Sequence, residues 1–146
     1  MNIALSTIVY IEGGKDAVRV FKTRVFMRFA RKESLSDKKL AEAVLEIERG
    51  LHNGDLGGSL VKKRVARAGA GKSGGYRTII VYQRGHLAVF VFGFAKNDRD
   101  NLSTVELRDL QKLAKLYLGL SQVDIEKALK GGELYEIETH KEEISQ

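Results

Sequence analysis

Residues 60–97 read LVKKRVARAGAGKSGGYRTIIVYQRGHLAVFVFGFAKN, and the fold turns on how this stretch is read. Residues 60–67 alternate as a strand, with Lys62 and Arg64 on one face and Val61, Lys63 and Val65 on the other. A glycine-rich loop over 68–75 (AGAGKSGG) leads into a β-branched run, residues 76–82. Gln83-Arg84-Gly85 makes a tight turn, and residues 87–94 continue almost wholly apolar, as a central strand covered on both faces would. Three strands joined this closely predict an antiparallel meander. No Asp or Glu falls between Asp55 and Asp98, whereas Lys62, Lys63, Arg64, Arg67, Lys72, Arg77, Arg84 and Lys96 all do. Solvated surfaces interleave both signs, so a block of one sign on a sheet predicts a face for a polyanion, nucleic acid first.

Upstream, residues 18–23 (VRVFKT) predict a short strand. Phe21, Val25, Phe26 and Phe29 then recur at helical spacing, predicting a helix to about Lys32. Ser36 or Asp37 can cap a second helix with Leu40, Val44, Ile47 and Leu51 on one face, ended by Gly50 and the turn at Asn53-Gly54. Residues 55–59 read as a loop. Downstream, Ser103-Thr104-Val105-Glu106 is a capping box opening a helix through Leu107, Leu110, Leu113 and Tyr117 to Gly119. Ser121 caps a shorter helix to about Lys130, Gly131-Gly132 stops it, and residues 134–137 can form a terminal strand. The expected class is α+β: a small antiparallel sheet with two N-terminal helices packed on it, followed by C-terminal helices.

Three segments are expected: an N-terminal extension over 1–17, a main domain over 18–120, and an acidic helix and tail over 121–146. The first holds a strand-like run from Ile3 to Ile11, read as an edge strand or loose arm. A mis-annotated start is a second reading, since Gly13-Gly14-Lys15-Asp16-Ala17 can be encoded by a ribosome-binding site ahead of Val18. The last segment carries seven acids against three lysines, read either as a solubilising tail or as a cover for the basic sheet.

At 146 residues the chain can bury a sizeable core without staples. The absence of cysteine excludes disulfides, thiol nucleophiles and cysteine-based zinc sites. His52, His86 and His140 are scattered without metal-ligand spacing, so neither a metal nor any other cofactor is expected. Without a membrane span or a signal peptide, a cytoplasmic location is expected. The formal charge of +6 favours an acidic partner over a neutral metabolite.

Gly71-Lys72-Ser73 invites comparison with a nucleotide-binding P-loop. That loop needs a glycine where Ala66 stands and a helix after the serine, and here a strand follows. The glycines instead let a strand connection pass close to a ligand, with Lys72 at its tip. Lys62, Arg64, Lys72 and Arg77 fall on adjacent strands or on the loop joining them. Lys96-Asn97 ends the central strand, beside Arg77 if the meander pairs as read. Tyr76, next to Arg77, can stack on a base, donate a proton or simply pack in its strand. His86 opens a strand after a turn and has no evident partner as a base.

At these residues the sequence resembles the RelE/HigB superfamily of bacterial toxins, in its HigB-like branch. The resemblance is carried by Lys62-Lys63-Arg64-Val65-Ala66, by Gly71-Lys72-Ser73-Gly74-Gly75-Tyr76-Arg77, by Phe94-Ala95-Lys96-Asn97 and by Asn101-Leu102-Ser103. It implies a RelE-like sheet and a toxin that cleaves mRNA in the ribosomal A site without metal. It also implies a cognate antitoxin, often a helix-turn-helix DNA-binding protein through which alone operator DNA is met, and no membrane partner. Some relatives poison DNA gyrase instead, and a non-catalytic nucleic-acid-binding module is a rival reading. With no suited histidine, lysines and arginines would carry the chemistry. Arg64 and Arg77 are expected to stabilise the phosphate, with Lys72 and Lys96 as further catalytic candidates. Lys62, Lys63, Arg67, Tyr76 and Asn97 are expected to bind substrate, and Lys62 shares the candidacy for acid, base or positioning.

Overall fold

The structure is a computed structural model that describes residues 8–9, 18–51, 54–67, 74–99, 101–138 and 142–143. Its main sheet has six strands in the order β3-β4-β5-β6-β2-β7. The elements follow in the chain as β1 (Ile8–Val9), β2 (Arg19–Thr23), α1 (Arg24–Lys32), α2 (Asp37–Glu48), β3 (Gly54–Gly57), β4 (Leu60–Val65), β5 (Tyr76–Gln83), β6 (Leu87–Ala95), α3 (Thr104–Leu118), α4 (Gln122–Lys130), β7 (Leu134–Ile137) and β8 (Glu142–Glu143). β1 pairs only with β8, antiparallel.

The meander forms as its alternation predicts: β4 pairs antiparallel with β5, and β5 with β6. β2 lies parallel to β6 and antiparallel to β7, so the α+β sheet is mixed at one place. The route from β2 to its neighbour β6 passes through both N-terminal helices, a connection long enough for parallel pairing. A bulge opposite Ile79 and Ile80 puts Val91 and Phe92 on the same side of the sheet.

The 55–59 loop is corrected. Gly54–Gly57 is a strand that folds back on β4 through a turn in which Gly57, Gly58 and Ser59 all have positive φ, at 80°, 62° and 67°. With two glycines in four residues the strand has no apolar alternation by which to be recognised. Every predicted helix is present, each with its cap: Thr23 for α1, Ser36 for α2, and capping boxes at Ser103 and Ser121 for α3 and α4.

Helices cover both faces of the sheet. On one, Phe26, Leu40, Val44 and Ile47 from α1 and α2 meet Val20, Ile80 and Phe90. The rings of Phe26 and Phe90 are 5.0 Å apart. On the other, Leu110 and Ala114 of α3 and Ile125 of α4 meet Phe21, Ile79, Val81 and Val89. A strand sandwiched this way needs apolar residues on both sides, which is why β5 and β6 read as nearly continuous runs. Phe90 is completely buried, and truncating such a phenylalanine costs about 3–5 kcal/mol. The segment after residue 120 is built into this core: β7 extends the sheet beyond β2, and Leu134 and Ile137 are buried, one in each cluster. No helix among the described residues is long and apolar enough to cross a membrane.

Candidate nucleic-acid interface

The cations gather where β4 and β6 end and β5 begins. Arg64 and Arg77 are direct cross-strand partners, and Lys62 lies two residues back on the same side, opposite Ile79. Arg77 in turn faces Phe94 of β6. Residues paired across a sheet share a face, so Lys62, Arg64, Arg77 and Phe94 form one row on the side that α3 covers further along. Arg64 is exposed, whereas Arg77 is only 5% exposed, a charge set into the sheet beneath its neighbour.

The chain after β6 closes this end. Lys96 donates its backbone N–H to Gly75 O at 3.0 Å, placing the Lys96-Asn97 turn beside the start of β5. Arg99 then lies over the rings of Phe94 and Phe92, 4.9 and 5.3 Å from their centroids, and is held by two bonds to Glu106 (2.7 and 3.0 Å). The Glu106 carboxyl is held at about 2, chiefly by Arg99 and then by the Ser103 backbone N–H. Lys62 Nζ donates to Asn101 Oδ1 at 3.0 Å, tying β4 to the segment before α3.

Gly75 is obligatory here for a local reason. A Cβ on it would lie 2.3 Å from Val65 O and 3.0 Å from Arg67 N, so no other residue fits between the strands. Its close approach is to the β4 backbone, not to a ligand. Lys72, expected at the tip of this loop, lies with the rest of 68–73 outside the described residues.

The predicted site residues do not all share the row. Lys63 points to the opposite face, 5% exposed, where Nζ meets Glu46 and the Leu51 carbonyl, each at 2.6 Å. Tyr76 also faces that way, because consecutive strand residues alternate sides. It is buried against Phe29, accepts from Arg67 Nε at 3.2 Å and donates to Glu33 Oε1 at 3.0 Å. Arg67 caps that network with its guanidinium 5.4 Å from the Tyr76 ring centre, and the Tyr76 hydrogen bond holds it more firmly protonated. The expectation that Tyr76 stands next to Arg77 is therefore corrected: they are adjacent in sequence but on opposite faces. The structure brings together Lys62, Arg64, Arg77 and, at the adjoining turn, Lys96 and Asn97. It sets Lys63, Arg67 and Tyr76 apart.

Arg99 had no part in the sequence reading, and Phe94 and Asn101 entered it only as residues that carry the resemblance, with no role at the site. The only sequence signal was an aromatic pair, Phe92 and Phe94, ending a strand just before a cation. The acids of α4 and β7 do not cover the cationic end: Glu126 and Glu136 pair with Arg19, at 3.3 and 2.9 Å. Among the described residues, no three His, Asp or Glu side chains gather to hold a metal.

Fold and site together define a small basic α+β domain with lysines and arginines collected at one end of its sheet. The chain belongs to the RelE toxin family: the family model described as the RelE toxin of the RelE / RelB toxin-antitoxin system matches residues 18–137. It is thus the toxin side of a toxin–antitoxin pair, with an antitoxin as partner. A search of curated proteins returns no match.

Proposed function

We propose that the chain is a ribosome-dependent mRNA endonuclease, working at the sheet end where Lys62, Arg64 and Arg77 align. The cross-strand pairing of Arg64 with Arg77 carries this reading, because it stacks two permanent cations at one point. Attack of a ribose 2′-oxygen on the adjacent phosphorus concentrates negative charge on the phosphate oxygens before the 5′-oxygen leaves. Two guanidiniums brought to the phosphate stabilise that charge more than they stabilise the ground state. The exposed Arg64 contacts the phosphate, and Arg77 supports it electrostatically from below. Lys62 and Lys96 are the candidates for moving the proton from the 2′-hydroxyl and to the leaving oxygen, with Asn97 at the rim. Lys72 is proposed for the same end from its place in the sequence. The cognate antitoxin, proposed as a helix-turn-helix protein, would neutralise this activity.

The test is expression in bacteria with mapping of mRNA 5′ ends. Growth arrest with cuts in translated messages is expected, and Arg64→Ala should lower cleavage roughly 10²–10³-fold, the usual cost of one transition-state donor. Arrest with intact mRNA and broken DNA would instead identify gyrase as the target.

A further inference from the structure

A second basic feature lies on the same face of the sheet, away from the aligned arginines. A groove of about 540 Å³ runs between the β3–β4 turn and α3, lined by Gly58, Ser59, Arg108, Gln111, Lys112 and Lys115 among others, none of them acidic. Arg108, Lys112 and Lys115 fall at i, i+4 and i+7, one helix face, and all three are exposed. The walls are fixed to one another: Gln111 Nε2 donates to Leu56 O at 3.0 Å, and a Cβ on Gly58 would already touch Gln111 Cγ at 3.4 Å.

We propose that this groove binds the phosphate backbone of an RNA strand and extends the cationic row into a continuous track. The inference rests on the proposed RNA-directed activity. Four features favour RNA over an acidic protein segment. The groove opens at the start of β4 and the aligned arginines stand at its end, about 13 Å further along the strand. Lys62 lies between the two on the same face of β4. Along α3, Arg108 and Lys112 are about 6 Å apart in rise, close to the step between neighbouring phosphates. The cations sit on flexible stems around a turn of glycines and serine, which suits a backbone ligand read by charge and not by base.

The test compares Arg108→Gln/Lys112→Gln/Lys115→Gln with Arg28→Gln/Arg31→Gln/Lys38→Gln, which removes the same charge from exposed positions on α1 and α2. Each is co-sedimented with ribosomes carrying an mRNA and a vacant A site over a series of KCl concentrations. The groove variant should bind roughly tenfold more weakly, with the salt slope reduced by about two, while cleavage at saturating protein keeps its rate. The control should retain affinity to within about threefold. Equal losses in both variants overturn the proposal, because net charge alone would explain them. Unchanged ribosome binding by the groove variant also overturns it, and lost binding to the co-expressed antitoxin in that case would assign the groove to the partner protein. If the unaltered chain neither binds ribosomes nor cuts mRNA, the RNA-directed reading itself fails, and the groove proposal with it.

Discussion

Lys62 and Lys63 are neighbours of one charge type on opposite faces of β4, and strand alternation alone separates them. Lys63 is buried with its ammonium on Glu46, whose side chain is 36% exposed, so deleting the lysine removes a largely desolvated contact. Lys63→Ala is expected to destabilise the fold by about 2–4 kcal/mol, read from chemical denaturation, while activity per folded molecule persists. Lys62→Ala should do the reverse, lowering activity with little change in stability. A result in which Lys63→Ala is stable and inactive would return it to the site. This division was legible in principle, since the alternation of β4 already put Lys62 and Arg64 on one side. The same rule separates Tyr76 from Arg77, yet chemical suitability drew attention to them as a pair. The Arg99–Phe94 stack was not legible, because it joins a strand to the turn that follows and has no period.

Among the elements, α3 is anchored through a carboxyl whose pKa is strongly lowered. Glu106 completes the Ser103 capping box and also binds Arg99, and its carboxyl falls from 4.5 to about 2. A carboxyl lowered in the folded state stabilises the fold at pH above its unfolded value. That stabilisation is lost as pH falls through the folded value. The thermal unfolding temperature of the unaltered chain should therefore fall as pH drops from about 4.5 to 2, and Glu106→Gln should flatten that part of the profile. Identical profiles would show that the Arg99 contact contributes nothing. Helices were the most legible elements because their start signals are local and chemical: Ser36, Ser103 and Ser121 all cap where their hydroxyls predict. β3 was the least legible, since its strand character comes from its partner β4 and not from its own residues.

For the whole molecule, the meander and the α+β class follow from residues 60–97, whereas the placement of β2 does not. Its partners β6 and β7 are far away in sequence, and apolar alternation identifies a strand without naming its neighbours. The core shows the same interdependence. Ile125, Leu134 and Ile137 are all buried, and Arg19 of β2 binds both Glu126 and Glu136. A chain ended at Leu120 should consequently lose cooperative unfolding, seen as a broad thermal transition by circular dichroism. A sharp transition near that of the full chain would make the acidic segment dispensable.

The interior position of β2 also constrains the order of events during synthesis. β2 is made before every other strand of the main sheet, yet it is flanked by β6 and β7, made much later, the last of them ending at Ile137. Pairings this distant along the chain form slowly and only once both partners exist. The six-stranded sheet therefore cannot close until Ile137 has left the ribosome that made it. A toxin built this way stays without its completed sheet until that last strand has been made.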